Sequence, residues 1–570
     1  MASLATFLRP GVGGMLKEGA KHLSGVEEAV LKNIEACKDL ASIVRTSMGP
    51  NGMNKMVLNH TGKVFVTTDA ATIMKELDVI HPAAKMMVMA AQSQERECGD
   101  GTGFVIVFAG ELLEQAQELI RQGLHPSEIV QGYQKGFEKA LQVLETLVIT
   151  SIPNLRDKKA VCEALRSCIA SKQYGLEDLI ASLVAEACIS VLPSDEKHFN
   201  VDNIRVSKVL GGSLHLSTVV HGTVVSQEAA GLVKSVQNAK VAIYSCDFDI
   251  ENPETKGTVL IKNAAELQTY NRSEEESLEK KVKDIAESGV TVVVSPKFGD
   301  LALHFLERYK IMAVKCGSKV DLRRIARSCG AAGLTKVEAP DTESIGFCDS
   351  VMEEEISSTK MVVFRQKNEH SRVATILLRG GTENMMDDVE RAIDDAVNVF
   401  KVLTRENRFV PGAGATEIEL ARQISSFGDK SPGLDQYAIK KYAESLEVVP
   451  RTLAENAGLK ATDVVSRLYA VHTCGQCTTG IDIEASSKVN EDASDGSLSN
   501  GSGTVHETLP LGILDAKSCD IYDSLATKKS ALTLATQVAT TVLKIDQIIM
   551  AKQAGGPKPQ SRDADADDAA

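Results

Sequence analysis

Four short segments carry residue types that handle phosphate. Gly99-Asp100-Gly101-Thr102 stands at the foot of a long helical pattern. Gly49-Pro50-Asn51-Gly52, Thr68-Asp69-Ala70-Ala71-Thr72 and Gly412-Ala413-Gly414-Ala415-Thr416-Glu417 share its character: small, flexible positions beside an acid, an amide or a hydroxyl. Tight turns of this kind expose successive backbone N–H groups that can cradle an anion. A helix N-terminus with glycines adds its dipole to the same task. The chemistry is that of a nucleotide phosphate site built from both ends of the chain.

Taken singly, each segment keeps a plain alternative. Gly49-Pro50-Asn51-Gly52 is not a Walker A loop, and most Pro-Asn-Gly turns are only turns. Asp100 beside phosphates needs a cation between them, and Mg²⁺ held by one or two carboxylates plus phosphate oxygens supplies it. Alternatively, Asp100 only caps the helix that follows. Asp69, just after the apolar run Val64-Phe65-Val66, can orient or deprotonate a water, or can be a cap. Asp394 and Asp395 lie about 100° apart on a helix, so one can face a site while the other faces water. Gly412 and Gly414 permit close backbone approach to a ligand. A Rossmann fingerprint fails there because position 417 is Glu.

The elements that must position these residues follow from periodicity. Residues 104–122 read as a helix ending at Gly123 and Pro126. A second helix begins near Ser127-Glu128 and presents Ile129, Tyr133, Phe137, Ala140, Leu144 and Leu147 on one face. Between about 200 and 370, short strands (Val241–Tyr244, Val290–Val294, Ile311–Val314) alternate with helices, which predicts an α/β block with parallel pairing. Ser273 and Glu276 read as a capping box opening one of those helices. The strand Thr375–Leu378 precedes the helix that carries Asp395. Helical character returns from about 410, so the α/β block is inserted into a helical unit. Residues 485–508, almost free of apolar side chains, read as a flexible surface loop, and the tail from Ala554 as disordered.

Bulk composition sets limits. A chain of 570 residues exceeds one hydrophobic core and predicts two to four domains. No apolar run reaches the ~18 residues of a membrane helix, and the first residues lack a signal-peptide layout. A net charge of −14 argues against general nucleic-acid binding. Most of the 12 cysteines, such as Cys37, Cys162, Cys168 and Cys188, read as buried thiols in helices. The close pair Cys474 and Cys477 has no second ligand pair in view to make a zinc site.

In this order the four segments resemble the ATP site of the group II chaperonins. The family pattern runs roughly Gly-Pro-x-Gly-x-x-Lys, Thr-Asn-Asp-Gly-x-Thr-Ile, Gly-Asp-Gly-Thr-Thr and Gly-Gly-Gly-Ala-x-Glu, and the likeness extends over about residues 15 to 550. Finer stretches, among them His81–Met86, Ser171–Gly175 and His198–Ile204, look like one particular subunit of the eukaryotic cytosolic chaperonin. The resemblance implies a multidomain α and α/β chaperonin architecture. A helical equatorial ATP-binding domain would comprise residues 1–150 and 410–570. A small hinge-like intermediate domain would comprise 151–220 and 372–409. An apical substrate-binding domain with a helical protrusion would comprise 221–371.

The resemblance also implies site residues. Met48, Gly49, Gly101, Thr102, Gly103 and Phe104 would surround the nucleotide, with Asp100 on Mg²⁺. Asp69 and Asp395 would position the hydrolytic water. Lys172, with Ala170 and Ser171, would sense the γ-phosphate, while Gly412, Ala413 and Asp515 would line the ribose side. It implies ATP and ADP as ligands, a cytoplasmic location, and paralogous subunits in two eight-membered rings. Unfolded clients such as actin and tubulin are implied, with neither nucleic acid nor membrane. Three departures stand out: Gly103 replaces a Thr, Thr68 and Ala70 replace the Asn and Gly around Asp69, and Ala413 replaces a Gly. They keep open a rival reading as a weakly hydrolysing, mainly structural ring subunit. A soluble phosphotransferase is a further rival, without Walker or kinase signatures to support it.

Overall fold

The computed structural model describes residues 21–24, 29–59, 62–249, 264–357, 359–366, 373–484 and 512–550. The loop expected at 485–508 and the tail from 554 lie outside them.

Both ends of the chain share one helical core. The helix Thr102–Arg121 runs through it, burying Phe104, Phe108, Leu112 and Leu119. Leu31–Arg45, Pro82–Cys98 and Pro126–Thr146 pack against it from the N-terminal part. Asp435–Leu446 and Leu525–Leu543 pack against it from the C-terminal part. The buried rings of Tyr133 and Phe108 both meet Tyr442, some three hundred residues away in sequence. The helix expected near Ser127 starts at Pro126, where the His125 ring nitrogen accepts the Ser127 N–H.

A second core forms where Lys158–Ala170, Glu177–Val191 and Glu383–Leu403 cover the parallel strands Ile204–Leu210 and Ala374–Gly380. These strands begin a mixed nine-stranded sheet among the described residues. It continues through Thr218–Val225, Thr359–Arg365 and Gly346–Ile356, each antiparallel to its neighbour. Beyond Ser235–Tyr244 the order turns parallel, with Val292–Ser295 and then Met312–Lys315. Successive side chains of a strand point to opposite faces, and here each face finds its own cover. Val241, Ile243, Val292 and Val294 meet Leu322 and Ile325 of the helix Lys319–Cys329. Ala242, Tyr244 and Val293 meet Leu278, Val282, Phe305 and Leu306 on the other side.

The α/β block and its parallel pairing are therefore present, with strand and helix bounds within two or three residues of those read from sequence, except that Val241–Tyr244 is the end of a strand beginning at Ser235. The capping box is a correction. The helix already runs from Ala264 to Glu287, so Ser273 lies within it and opens nothing. Nine residues of modest polarity upstream of Ser273 carry no stop signal, and the helix continues through them. Cys37, Cys168 and Cys188 are buried as expected, whereas Cys162 is only half-buried.

Candidate functional site

The hairpin Lys55–Leu58 with Val64–Thr67 delivers the chain to Asp69, which caps the helix Ala70–Glu76. One carboxylate oxygen accepts the Thr72 N–H at 2.9 Å and the Thr72 hydroxyl at 2.7 Å. The other accepts Lys172 Nζ at 2.9 Å. Cap and site are thus the same residue. The turn after the helix Lys158–Ala170 carries Lys172 inward, where it also pairs with Asp395. On the helix Glu383–Leu403, Asp395 is buried and Asp394 exposed, so the two faces anticipated for this pair are both realised. Three segments far apart in sequence converge on one ammonium group.

Asp100 behaves differently. It lies between the helices Pro82–Cys98 and Thr102–Arg121, flanked by Gly99 at φ 76° and Gly101 at φ 81°. This left-handed backbone suits glycine. The N-cap is Gly101, and no side chain caps the helix, so the capping role weighed for Asp100 is not taken. Its carbonyl is fixed by the Gln94 amide at 2.8 Å, leaving the carboxyl on the wall of a cavity.

That cavity has a volume of about 490 Å³, within the range of small-ligand sites. Met48, Gly49, Asp69, Asp100, Gly101, Thr102, Gly103 and Phe104 line one side, and Ala170, Ser171 and Lys172 line another. Ala413 and Gly414 line it, but Gly412 does not, its N–H being bound to Ile521 O at 3.0 Å. Asp395 reaches the cavity only through Lys172. Asp515 also stands off the wall, its carboxylate accepting the Lys517 N–H at 3.2 Å while Leu514 lines the space. Gly103 leaves room, since an added Cβ would meet only the Ala70 methyl at 3.8 Å. Ala413 holds a left-handed φ of 53°, a conformation that costs a non-glycine residue about 1 kcal/mol or more.

Charge is concentrated here. Burial works to raise the Asp69 carboxyl, but Lys172 and the Thr72 hydrogen bonds overcome it and hold it at about 2. Burial disfavours the Lys172 ammonium, and the surrounding acids, Asp69 foremost, more than restore it. The Asp100 carboxyl is pushed up by burial and by Asp523, with Lys172 and Lys528 pulling back. A carboxyl short of positive charge is what a bound cation would complete. Among the described residues no group of three or more His, Cys, Asp or Glu side chains is arranged to hold a metal alone. A Mg²⁺ ion at Asp100 would therefore share its ligands with phosphate oxygens, as this ion commonly does. The donor set fits that use.

Sequence reading missed a further stretch of the wall, beside Gly101 and Phe104. Strand Tyr522–Ser524 leads directly into the helix Leu525–Leu543, a second strand-to-helix junction on the cavity besides that of Asp69. Ser524 and Thr527 line the cavity with buried hydroxyls that have no hydrogen-bond partner among the described residues. Lys528, also on the wall, pairs with Glu417 and with Asp523 at 3.1 Å and lies over the Phe104 ring. Tyr174 and Glu484, both exposed to solvent, also line the cavity.

This architecture of a two-ended helical core, a small second core and an inserted α/β block is that of the chaperonins. The TCP-1/cpn60 chaperonin family model matches residues 40–553, and the chain belongs to that family. It is similar to T-complex protein 1 subunit theta of Gallus gallus and of Homo sapiens, at 53% identity over 98% of this chain and 98% of each relative. The theta subunit of Dictyostelium discoideum is 47% identical over 98% of this chain and 100% of its own length. The stretches that look like one particular subunit point to the same relatives. Family membership implies nucleotide binding and ATPase activity in general. No helix among the described residues is long and apolar enough to cross a membrane.

Proposed function

We propose that this chain is an ATP-hydrolysing subunit of the hetero-oligomeric T-complex chaperonin, in which nucleotide turnover drives closure around unfolded clients. The observation that carries the reading is the largely enclosed Lys172 held between Asp69 and Asp395 on the cavity wall. Paralogous subunits are its partners, two eight-membered rings its assembly, the cytoplasm its location, and proteins such as actin and tubulin its clients.

ATP and ADP are the proposed occupants. The turn at Gly49, the N-terminus of the helix Thr102–Arg121 and the hydroxyls of Ser524 and Thr527 offer donors to phosphate oxygens. Asp69, ionised at neutral pH, orients the attacking water, and Asp395 fixes Lys172 at the same spot. Mg²⁺ held by Asp100 would offset the charge that develops on the phosphates. Lys172 and Asp395 belong to the second core and Asp69 to the edge of the first, so closing one core on the other completes the set. The separate cores support the proposed equatorial, intermediate and apical domains. Gly103 and Ala413 leave the cavity open, and nothing in it favours the mainly structural rival.

The test is ATP turnover by complexes in which this subunit alone carries Asp69→Ala with Asp395→Ala. Its contribution should fall by at least ~100-fold, the usual scale for losing an acid–base group. Unchanged turnover on this chain would refute the assignment.

A further inference from the structure

The turn that brings Lys172 to the acids also points a second residue the other way. Tyr174, two positions on and half-exposed, donates its hydroxyl to Glu484 at 2.7 Å. Both residues line the cavity and both are exposed to solvent. The turn is stiff: Lys172 and Gln173 N–H groups close on Ile169 O, and Gly175 N–H binds Glu177 at 2.6 Å. Tyr174 is tied to the second core, where Leu176 and Leu179 pack. Glu484 follows the strand Thr479–Ile481, whose Ile481 belongs to a different cluster with Ile418 and Leu468. Its backbone N–H is held by Asp482 at 2.9 Å, and Ile481 N–H is held by Ala413 O at 2.9 Å. The bond therefore joins two separately anchored bodies at a solvent-exposed part of the cavity lining. The Glu484 carboxylate, with burial adding to it, holds the phenol up at about 12, so the phenol stays a donor through the neutral range.

We infer that Tyr174 and Glu484 form a latch over the nucleotide cavity that must open for nucleotide to leave. The inference rests on the nucleotide reading above. Lys172 senses the occupant from inside, and Tyr174, on the same rigid turn, closes the exit. Lys172 and Tyr174 share one short turn, so the residue facing the occupant and the residue of the latch are joined through it.

The test uses the assembled complex, saturated with azido-ADP, chased with unlabelled ADP for set times and then irradiated. Label is counted on this chain after the subunits are separated by denaturing electrophoresis. Tyr174→Phe and Glu484→Ala should each speed the loss of label by roughly 3- to 10-fold, the range of an ordinary hydrogen bond. The double variant should lose it no faster than either single variant, because both changes break the same bond. Loss at the wild-type rate in Tyr174→Phe, or full additivity in the double variant, overturns the latch and leaves the nucleotide reading standing. A wild-type chain that takes up no label overturns the nucleotide reading and the latch with it.

Discussion

At the scale of single residues, the site depends on which small positions are replaceable. Gly103 and Gly101 stand two apart at the same helix start, with opposite expectations. Gly103 has an ordinary backbone, and a methyl there meets only Ala70 at 3.8 Å. Gly103→Ala should raise thermal stability by about 0.5–1 kcal/mol, through better helix propensity and a less free unfolded chain. Gly101 has φ +81°, and a methyl would press on the Gln94 amide at 3.2 Å and on Thr527 at 3.3 Å. Gly101→Ala should lower stability by roughly 1–2 kcal/mol. Thermal melts of the two variants check both signs, and equal shifts would contradict the geometry. Much at this scale was legible. Asp100 could be a cap or a free acid from sequence, and only the αL geometry of Gly101 decides it. Ser524, Thr527 and Lys528 were not legible, because hydroxyls and a lysine at a strand–helix junction look like any other junction until the fold brings them beside the Asp100 turn.

At the scale of elements, the helix Thr102–Arg121 owes its place to one missing side chain. Gly110 lies where the helix crosses Leu31–Arg45, and a methyl there would overlap that of Ala41. Helix propensity alone predicts a gain of ~1 kcal/mol for Gly110→Ala. Overpacking a dense core costs typically 1–3 kcal/mol, and here it must separate two helices, so the net effect should be a loss of about 1–2 kcal/mol. A rise in melting temperature would show that the helices can part at no cost. Periodicity exposed this helix and the buried strands, since each has one continuous apolar pattern. It misplaced the start of Ala264–Glu287, because a Ser-x-x-Glu spacing inside a polar helix has the same letters as a capping box.

At the scale of the whole molecule, Asp69 and Lys172 join the first and second cores through a charge pair nearly closed to water, with side chains 8% and 12% exposed. The pair makes the join sensitive to acid in a definite direction. The folded Asp69 carboxyl sits at about 2, below its ordinary value of 3.8. A depressed carboxyl contributes stability that is complete above its unfolded value and disappears as pH falls through the folded one. The window is therefore about pH 4 down to pH 2, and a shift of this size is worth roughly 2 kcal/mol. Asp69→Asn keeps a side chain able to cap the helix Ala70–Glu76 but loses the charge. The difference in urea midpoint between wild type and Asp69→Asn should be largest above pH 4 and shrink toward pH 2. A difference that stays constant over that range would mean that Lys172 is held by Asp395 alone, and that the two cores are joined by packing rather than by charge.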